Sequence, residues 1–166
     1  MNSEDENLFN LLKKSVDKCY KNDLELINRS MEQACVARIF FYMQEMIYND
    51  PKYKEYRDYN LDCEYNKNGE QIKATPRRQN GTKPDMILHK RRTNNKNLIV
   101  VEFKAAQGRT VYYEDTKTAM DYVKLEDFTN SAIYNYKLGV YVKLNKRKPK
   151  YILFKNGKIY KGEYNV

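Results

Sequence analysis

The sequence has few of the residues that several enzyme classes require. Its 166 residues include a single histidine, His89, and six scattered glycines. Zinc sites built from several histidines, and nucleases that combine a histidine base with a histidine-bound metal, need more imidazole groups than this chain has. The glycines form no phosphate-binding loop, so ATPase and dinucleotide-binding functions have no support. Any hydrolytic reaction must therefore use carboxylates, lysines and tyrosines.

Cysteines and long apolar segments are also scarce. Cys19, Cys35 and Cys63 are odd in number and far apart in the sequence. This pattern argues against a disulfide framework or a zinc ribbon and favours a reducing cytoplasm. No stretch approaches the roughly 18 apolar residues of a membrane span. The acidic start, residues 1–6, lacks the basic-then-apolar order of a signal peptide. We therefore expect no membrane association.

Positive charge is abundant, with a net charge of +9. Such a charge favours a polyanionic partner such as nucleic acid. The same composition would follow from an AT-rich coding bias, because Lys, Asn and Tyr are frequent throughout. Local clustering supports the nucleic-acid interpretation, and the clusters are Arg77-Arg78, Lys90–Arg92 and Lys143–Lys148.

The hydrophobic pattern predicts a single α/β domain over residues 1–166, with an N-terminal helix in 1–22, a core in 23–144 and a C-terminal hairpin in 145–166. A second helix is predicted from a cap at Asn22-Asp23 to Tyr48, with an inward stripe of Leu24, Ile27, Met31, Cys35, Ile39 and Tyr42. A third is predicted from Asp115 or Thr116 to Asp127. The predicted strands are 61–66, 71–74, 85–90, 97–104, 137–143, 150–155 and 158–162. The third helix permits a parallel crossover, so we expect a mixed central sheet flanked by helices.

Two short motifs frame the central strands. Lys83-Pro84-Asp85 precedes one apolar run, and Glu102-Phe103-Lys104 ends the next. In an antiparallel hairpin Asp85 and Glu102 become neighbours, and strand alternation places Glu102 and Lys104 on one face. Buried carboxylates need compensation, which a divalent cation would supply. The simpler alternative is a turn-capping aspartate beside an exposed ion pair.

Pro-Asp followed by Glu-x-Lys at the end of an apolar strand resembles the signature of the PD-(D/E)XK nuclease superfamily, which has the restriction-endonuclease-like fold. Further segments are similar to a small stand-alone bacterial group within it, and together they cover about residues 32–144: Glu32–Met43, Asp62–Lys67, Asp121–Thr129 and Tyr136–Leu144. Ala37 departs from the group, because a histidine is expected there.

The resemblance implies a restriction-endonuclease-like core and a set of catalytic residues. Asp85, Glu102 and the main-chain carbonyl of Phe103 would hold Mg²⁺ or Mn²⁺. Lys104 would orient the attacking water and stabilise charge on the phosphate. Glu32 would hold a water on the metal, or a second metal; one and two metals both stay open.

Four further residues are candidates for contacting the substrate: Glu64, Lys124, Arg77 and Arg78. Glu64 matches a position of the family, although bracing a loop or pairing with Arg38 would also explain it. Lys124 follows Asp121 by one helical turn, so a simple ion pair within the helix would explain both.

The leading hypothesis is therefore a metal-dependent endo- or exonuclease, with DNA favoured over RNA as the substrate. A second hypothesis is a catalytically silent nucleic-acid-binding or protein-interaction module that keeps the fold. A third is a toxin-like or regulatory accessory protein whose basic loops bind an acidic partner. Stand-alone nucleases of this superfamily often form homodimers, but no interface can be identified in the sequence.

Overall fold

A computed structural model describes residues 1–105, 111–130 and 132–164, with the side chains of 111–115 and 161–164 left undescribed. Its helices are α1 (Ser3–Asn22), α2 (Leu24–Asn28), α3 (Glu32–Asn49) and α4 (Val111–Thr129), with a 3₁₀ segment at Pro51–Tyr56. Its strands are β1 (Asn60–Cys63), β2 (Lys67–Asn68), β3 (Gln71–Ile72), β4 (Met86–His89), β5 (Asn97–Ala105), β6 (Leu138–Leu144), β7 (Lys150–Lys155) and β8 (Lys158–Tyr164).

The protein is built around a mixed six-stranded sheet in the order β1-β4-β5-β6-β7-β8. Strands β5 and β6 are parallel, and every other neighbouring pair in this sheet is antiparallel. The helix α4 connects the two parallel strands, as a parallel crossover requires. The predictions of an α/β class, a mixed sheet and a parallel crossover are therefore confirmed. Strands β2 and β3 form a separate small hairpin.

The two faces of the sheet bury different clusters. Ile99, Val101 and Phe103 pack with side chains of α1 and α3 on one face. Val100 packs with Leu125 of α4 on the opposite face. Alternation along β5 therefore directs Glu102 and Lys104 to one face, as predicted, and this face is the one that packs against α4. No helix in the described ranges is long and apolar enough to cross a membrane.

The predicted second helix is interrupted, which corrects the expectation of one helix reaching Tyr48. Ser30 adopts a left-handed conformation with φ of 56°, so α2 ends and a new helix begins at Glu32. Because the chain turns here, Leu24 and Met31 are 44% and 46% exposed and do not belong to the inward stripe. No glycine or proline in the sequence indicates this interruption of the helix. Its consequence is that Glu32 occupies the first turn of α3.

Other boundaries also differ from the prediction. Strand β1 ends at Cys63 because Glu64, with φ of 48°, leaves the extended conformation. The return strand near 71–74 is only two residues long. The helix α4 begins at Val111, before the expected cap at Asp115 or Thr116. The predicted C-terminal hairpin is present as β7 and β8, and its last two residues, 165–166, lie outside the described residues.

Candidate active site

The end of β5 extends beyond its neighbour β4, and two side chains replace the missing strand partner. Met86 pairs with Val101 at the start of β4, so the next amides of β5 have no main-chain acceptor from β4. The amide of Phe103 donates to Asp85 Oδ2 at 2.7 Å. The amide of Ala105 donates to Glu32 Oε2 at 2.7 Å. Buried amides need such acceptors, and here carboxylates from two separate segments of the chain supply them.

The carbonyl of Phe103 faces the same side as its amide, because both groups of one strand residue point to the same neighbour. It therefore projects from β5 towards the position of Asp85. Asp85, Glu102 and this carbonyl are the set predicted to hold a metal. The hairpin makes Asp85 the next residue opposite Glu102, since Met86 pairs with Val101.

On the α4 face, acidic and basic side chains form a buried network. Glu102 is 1% exposed, and its Oε2 accepts a hydrogen bond from Lys124 Nζ. Lys124 Nζ also lies 3.3 Å from Asp121 Oδ1. Lys104, which is 7% exposed, forms a longer ion pair with Asp121, at 3.9 Å from Nζ to Oδ2. Asp121 thus joins the two lysines.

The carboxylates of this site are electrostatically unfavourable in the protein alone. Burial raises the pKa of Asp85 to about 6, although the Phe103 amide and the Lys124 charge oppose the increase. Burial and the charge of Asp85 raise the pKa of Glu102 well above its ordinary value. Burial alone would lower the pKa of Lys124, but the charge of Glu102 and the hydrogen bond to it raise that pKa. An added cation would relieve this excess of buried negative charge.

One oxygen of the buried carboxylate has no partner. Glu102 Oε1 is inaccessible to solvent and has no hydrogen-bond partner within the described part of the chain. An unsatisfied carboxylate oxygen at such a depth is costly unless a ligand engages it. Together with Asp85 and the Phe103 carbonyl it provides the hard oxygen donors that Mg²⁺ and Mn²⁺ prefer. The residues present therefore fit a divalent cation.

The third predicted acidic residue lies beside this set. Glu32, Glu64 and Asp85 line one cleft of about 440 Å³, together with Ala37, the position where the resemblance predicts histidine. The charge of Glu32 contributes to the raised pKa of Asp85, so the two carboxylates are close enough to interact. In the described ranges no group of three or more His, Cys, Asp or Glu side chains is arranged to hold a metal. Glu32 is instead engaged by the Ala105 amide.

The four candidate substrate contacts lie in different surroundings. Glu64 pairs with Lys83 at 2.8 Å in an exposed position. The alternative partner, Arg38, binds Asp23 instead, so the suggested pairing of Glu64 with Arg38 is wrong. Lys124 lies inside the buried network.

Arg77 and Arg78 lie along α4 and not over Asp85 and Glu102. Arg77 binds Glu126 and Asp127 of that helix. Arg78 donates to the main-chain oxygen of Met120 at 3.2 Å. Both guanidinium groups are thus held against α4, where they line a cleft of about 550 Å³.

Asp121 belongs to the site, although the sequence analysis did not predict this. Its spacing from Lys124 predicts a helical ion pair, which is present. The same spacing does not reveal that this helical face covers the end of β5. The residue pattern of α4, with Asp121 and Lys124 on the side that also carries Leu125, is the signal that could have indicated it.

No protein-family model matches the chain, and no curated protein matches its sequence.

Proposed function

We propose that this chain is a divalent-metal-dependent nuclease with a restriction-endonuclease-like core that hydrolyses phosphodiester bonds in DNA. The observation that supports this most is the buried Glu102 carboxylate, whose Oε1 has no partner within the described residues and which lies beside Asp85 at the open end of the β4–β5 hairpin. The net charge of +9 supports a polyanionic substrate.

Asp85, Glu102 and the carbonyl of Phe103 would hold the cation. A bound Mg²⁺ or Mn²⁺ would supply Lewis acidity to the phosphodiester. Asp85 is kept in position by a hydrogen bond that its Oδ2 accepts from the Phe103 amide, at 2.7 Å. The same hydrogen bond makes the orientation of the carboxylate depend on the position of β5.

Lys104 would stabilise negative charge on the phosphate and orient the attacking water. Its side chain is nearly buried and lies on the same strand face as Glu102, so a phosphate reaching Glu102 would also meet this ammonium. Glu32 would hold the end of β5 through the Ala105 amide and present its carboxylate to the cleft that it shares with Asp85.

The test is cleavage of plasmid DNA, linear DNA and RNA by the purified protein with Mg²⁺ or Mn²⁺. We expect DNA cleavage that chelation abolishes. Asp85→Asn, Glu102→Gln and Lys104→Met should each lower the rate by at least about 10²-fold. Asp85→Asn retains an oxygen that can accept the Phe103 amide, so it separates loss of charge from loss of fold. Asp58→Asn is the matched control, because Asp58 is an exposed carboxylate preceding β1. Full activity of the Asp85 or Lys104 variant would refute the residue roles.

A catalytically silent nucleic-acid-binding module is the second candidate, and one observation favours it. Lys124 already neutralises part of the charge on Glu102, so the fold has a counter-ion without any metal. The two functions differ in their requirement for a cation. DNA binding that is unaffected by chelation, with no cleavage under any condition tested, would favour the silent module.

A further inference from the structure

Lys124 occupies the carboxylate that a divalent cation would need. Its Nζ donates to Glu102 Oε2, and the side chains of Lys124 and Glu102 are 13% and 1% exposed. A buried carboxylate without a counter-ion is strongly unfavourable. The ammonium of Lys124 therefore compensates the negative charge of Glu102. Glu102 Oε1, in contrast, has no partner among the described residues.

An ammonium and a divalent cation cannot comfortably share this carboxylate. Both carry positive charge, and in a buried site their repulsion is only weakly screened. Binding of a cation between Asp85 and Glu102 would therefore favour movement of Lys124 Nζ away from Glu102. Lys124 and the cation therefore compete for Glu102, because the ammonium already donates a hydrogen bond to this carboxylate.

The structure also contains a place that can receive the displaced ammonium. Asp121 lies one helical turn before Lys124, and its Oδ1 is 3.3 Å from Lys124 Nζ. The lysine side chain has four flexible methylene groups, so a small rotation retains the pair with Asp121 while releasing Glu102. Both residues are on α4, so the release requires no movement of the helix.

Lys104 is the other lysine on this face and serves as the comparison. The ion pair that it forms in the described part of the chain is the 3.9 Å pair with Asp121 Oδ2. It follows Glu102 by two residues on β5 and shares its face. If general positive charge near the site controlled cation binding, both lysines would matter equally. If occupation of the carboxylate controls it, Lys124 alone would matter.

We propose that Lys124 is the resident counter-ion of Glu102, and that it lowers the affinity of the site for divalent cations by having to leave this carboxylate for Asp121 when a cation binds. This inference rests on the proposed function, since it assumes a cation site at Asp85 and Glu102. It makes Lys124 a positioning residue that regulates occupation of the site.

The test is calorimetric titration of the purified protein with Mn²⁺ at neutral pH, in the absence of nucleic acid. We expect Lys124→Met and Lys124→Gln to bind Mn²⁺ at least about 10-fold more tightly than the unmodified protein, because no ammonium has to be displaced. Lys104→Met should change the affinity by less than about 3-fold. Lys124→Gln keeps a hydrogen-bond donor for Glu102 and so provides a second variant if Lys124→Met folds poorly.

A second measurement excludes a merely structural role. Without metal, both Lys124 variants should melt at a lower temperature than the unmodified protein, and saturating Mn²⁺ should raise their melting temperatures by more than it raises that of the unmodified protein. A structural ion pair alone would give the first effect without the second.

The outcomes separate this inference from the function on which it rests. If the unmodified protein binds Mn²⁺ and the Lys124 variants bind it equally or less tightly, the role of Lys124 is refuted while the metal site stands. If only the Lys124 variants bind Mn²⁺, the role of Lys124 is supported and the silent module is favoured for the unmodified chain. If no protein binds Mn²⁺, both the metal site and the inference fail.

Discussion

Lys73 shows that the structure buries a positive charge outside the candidate site as well. The residue is 2% exposed, and its ammonium is surrounded by four aromatic rings, at 5.0 to 6.0 Å from their centroids: Tyr65, Phe128, Tyr134 and Tyr136. Such rings stabilise a cation through their negative faces. Burial nevertheless lowers the pKa of Lys73 to about 8, with the charge of Asp62 opposing it.

The lowered pKa of Lys73 predicts a pH dependence of stability. Between about 8 and the ordinary value of 10.5, the unfolded chain binds a proton that the folded protein lacks, so stability rises with pH. We expect the unfolding free energy of the unmodified protein, minus that of Lys73→Met, to increase by about 2 kcal/mol from pH 8 to 10. Chemical denaturation at several pH values measures it.

Lys67→Met is the matched control for this measurement, since Lys67 is exposed on β2. Its difference from the unmodified protein should stay constant over the same pH range. A flat or falling difference for Lys73→Met would show that folding does not lower the pKa of Lys73.

For individual residues, strand alternation and hairpin pairing were sufficient to predict the relative positions of the two central carboxylates. The period of two and the antiparallel hairpin bring Asp85 next to Glu102 and direct Glu102 and Lys104 to one face. The partnership of Glu102 with Lys124 was not predictable in the same way. It depends on which face of α4 covers the sheet, which is a tertiary property that no local pattern contains.

Among the elements, α4 determines the geometry of the site, because it carries Asp121 and Lys124. Its C-terminal part is seated on β6 at Gly139, where a side chain would have little room. A Cβ added there would lie 2.8 Å from Thr129 Cγ2 and 3.1 Å from Phe154 Cβ. The close approach of helix and strand therefore requires glycine at this position.

Gly139→Ala should lower the unfolding free energy by about 1–3 kcal/mol, because overpacking displaces α4 from the sheet. Thr129→Ser removes the nearest methyl group but keeps the hydroxyl, which donates to Leu125 O and accepts from the Gly157 amide. The double variant should therefore recover part of the loss. Denaturant unfolding of both single variants and the double variant measures this coupling. Strict additivity would contradict the proposed contact.

The helix interruption shows why element boundaries were harder to predict than element types. Residues 22–48 have a continuous helical pattern, yet the helix is interrupted at Ser30 and a new helix begins at Glu32. Serine is a poor signal for a left-handed conformation, which glycine or asparagine adopts more readily. The break nevertheless positions Glu32 where its carboxylate meets the Ala105 amide.

One basic cluster lies away from the candidate site, although Lys143, the first residue of another cluster, pairs with Lys104 at the same end of β5 as the site. The basic turn at Lys90–Arg92 lies at the opposite end of the β4–β5 hairpin from Asp85 and Glu102, roughly 15 Å away at about 3.3 Å per residue. Arg91 is held there by Asp62. A polyanion that contacts both regions would have to extend along the hairpin.

Mixed sheet, parallel crossover and hairpin pairing could all be predicted from periodicity and connection lengths. A restriction-endonuclease-like core remains a proposal, because many folds place a mixed sheet between helices. The function likewise depends on the site and not on the architecture. The proposed function requires that Asp85 and Glu102 hold a divalent cation.

The most direct test is a crystal structure of the protein soaked in Mn²⁺, with anomalous diffraction to locate the ion. We predict an anomalous peak within coordination distance of Asp85, Glu102 and the Phe103 carbonyl, with Lys124 Nζ turned from Glu102 towards Asp121. Crystals saturated with Mn²⁺ that show no peak between these two carboxylates would show that Asp85 and Glu102 do not hold the cation.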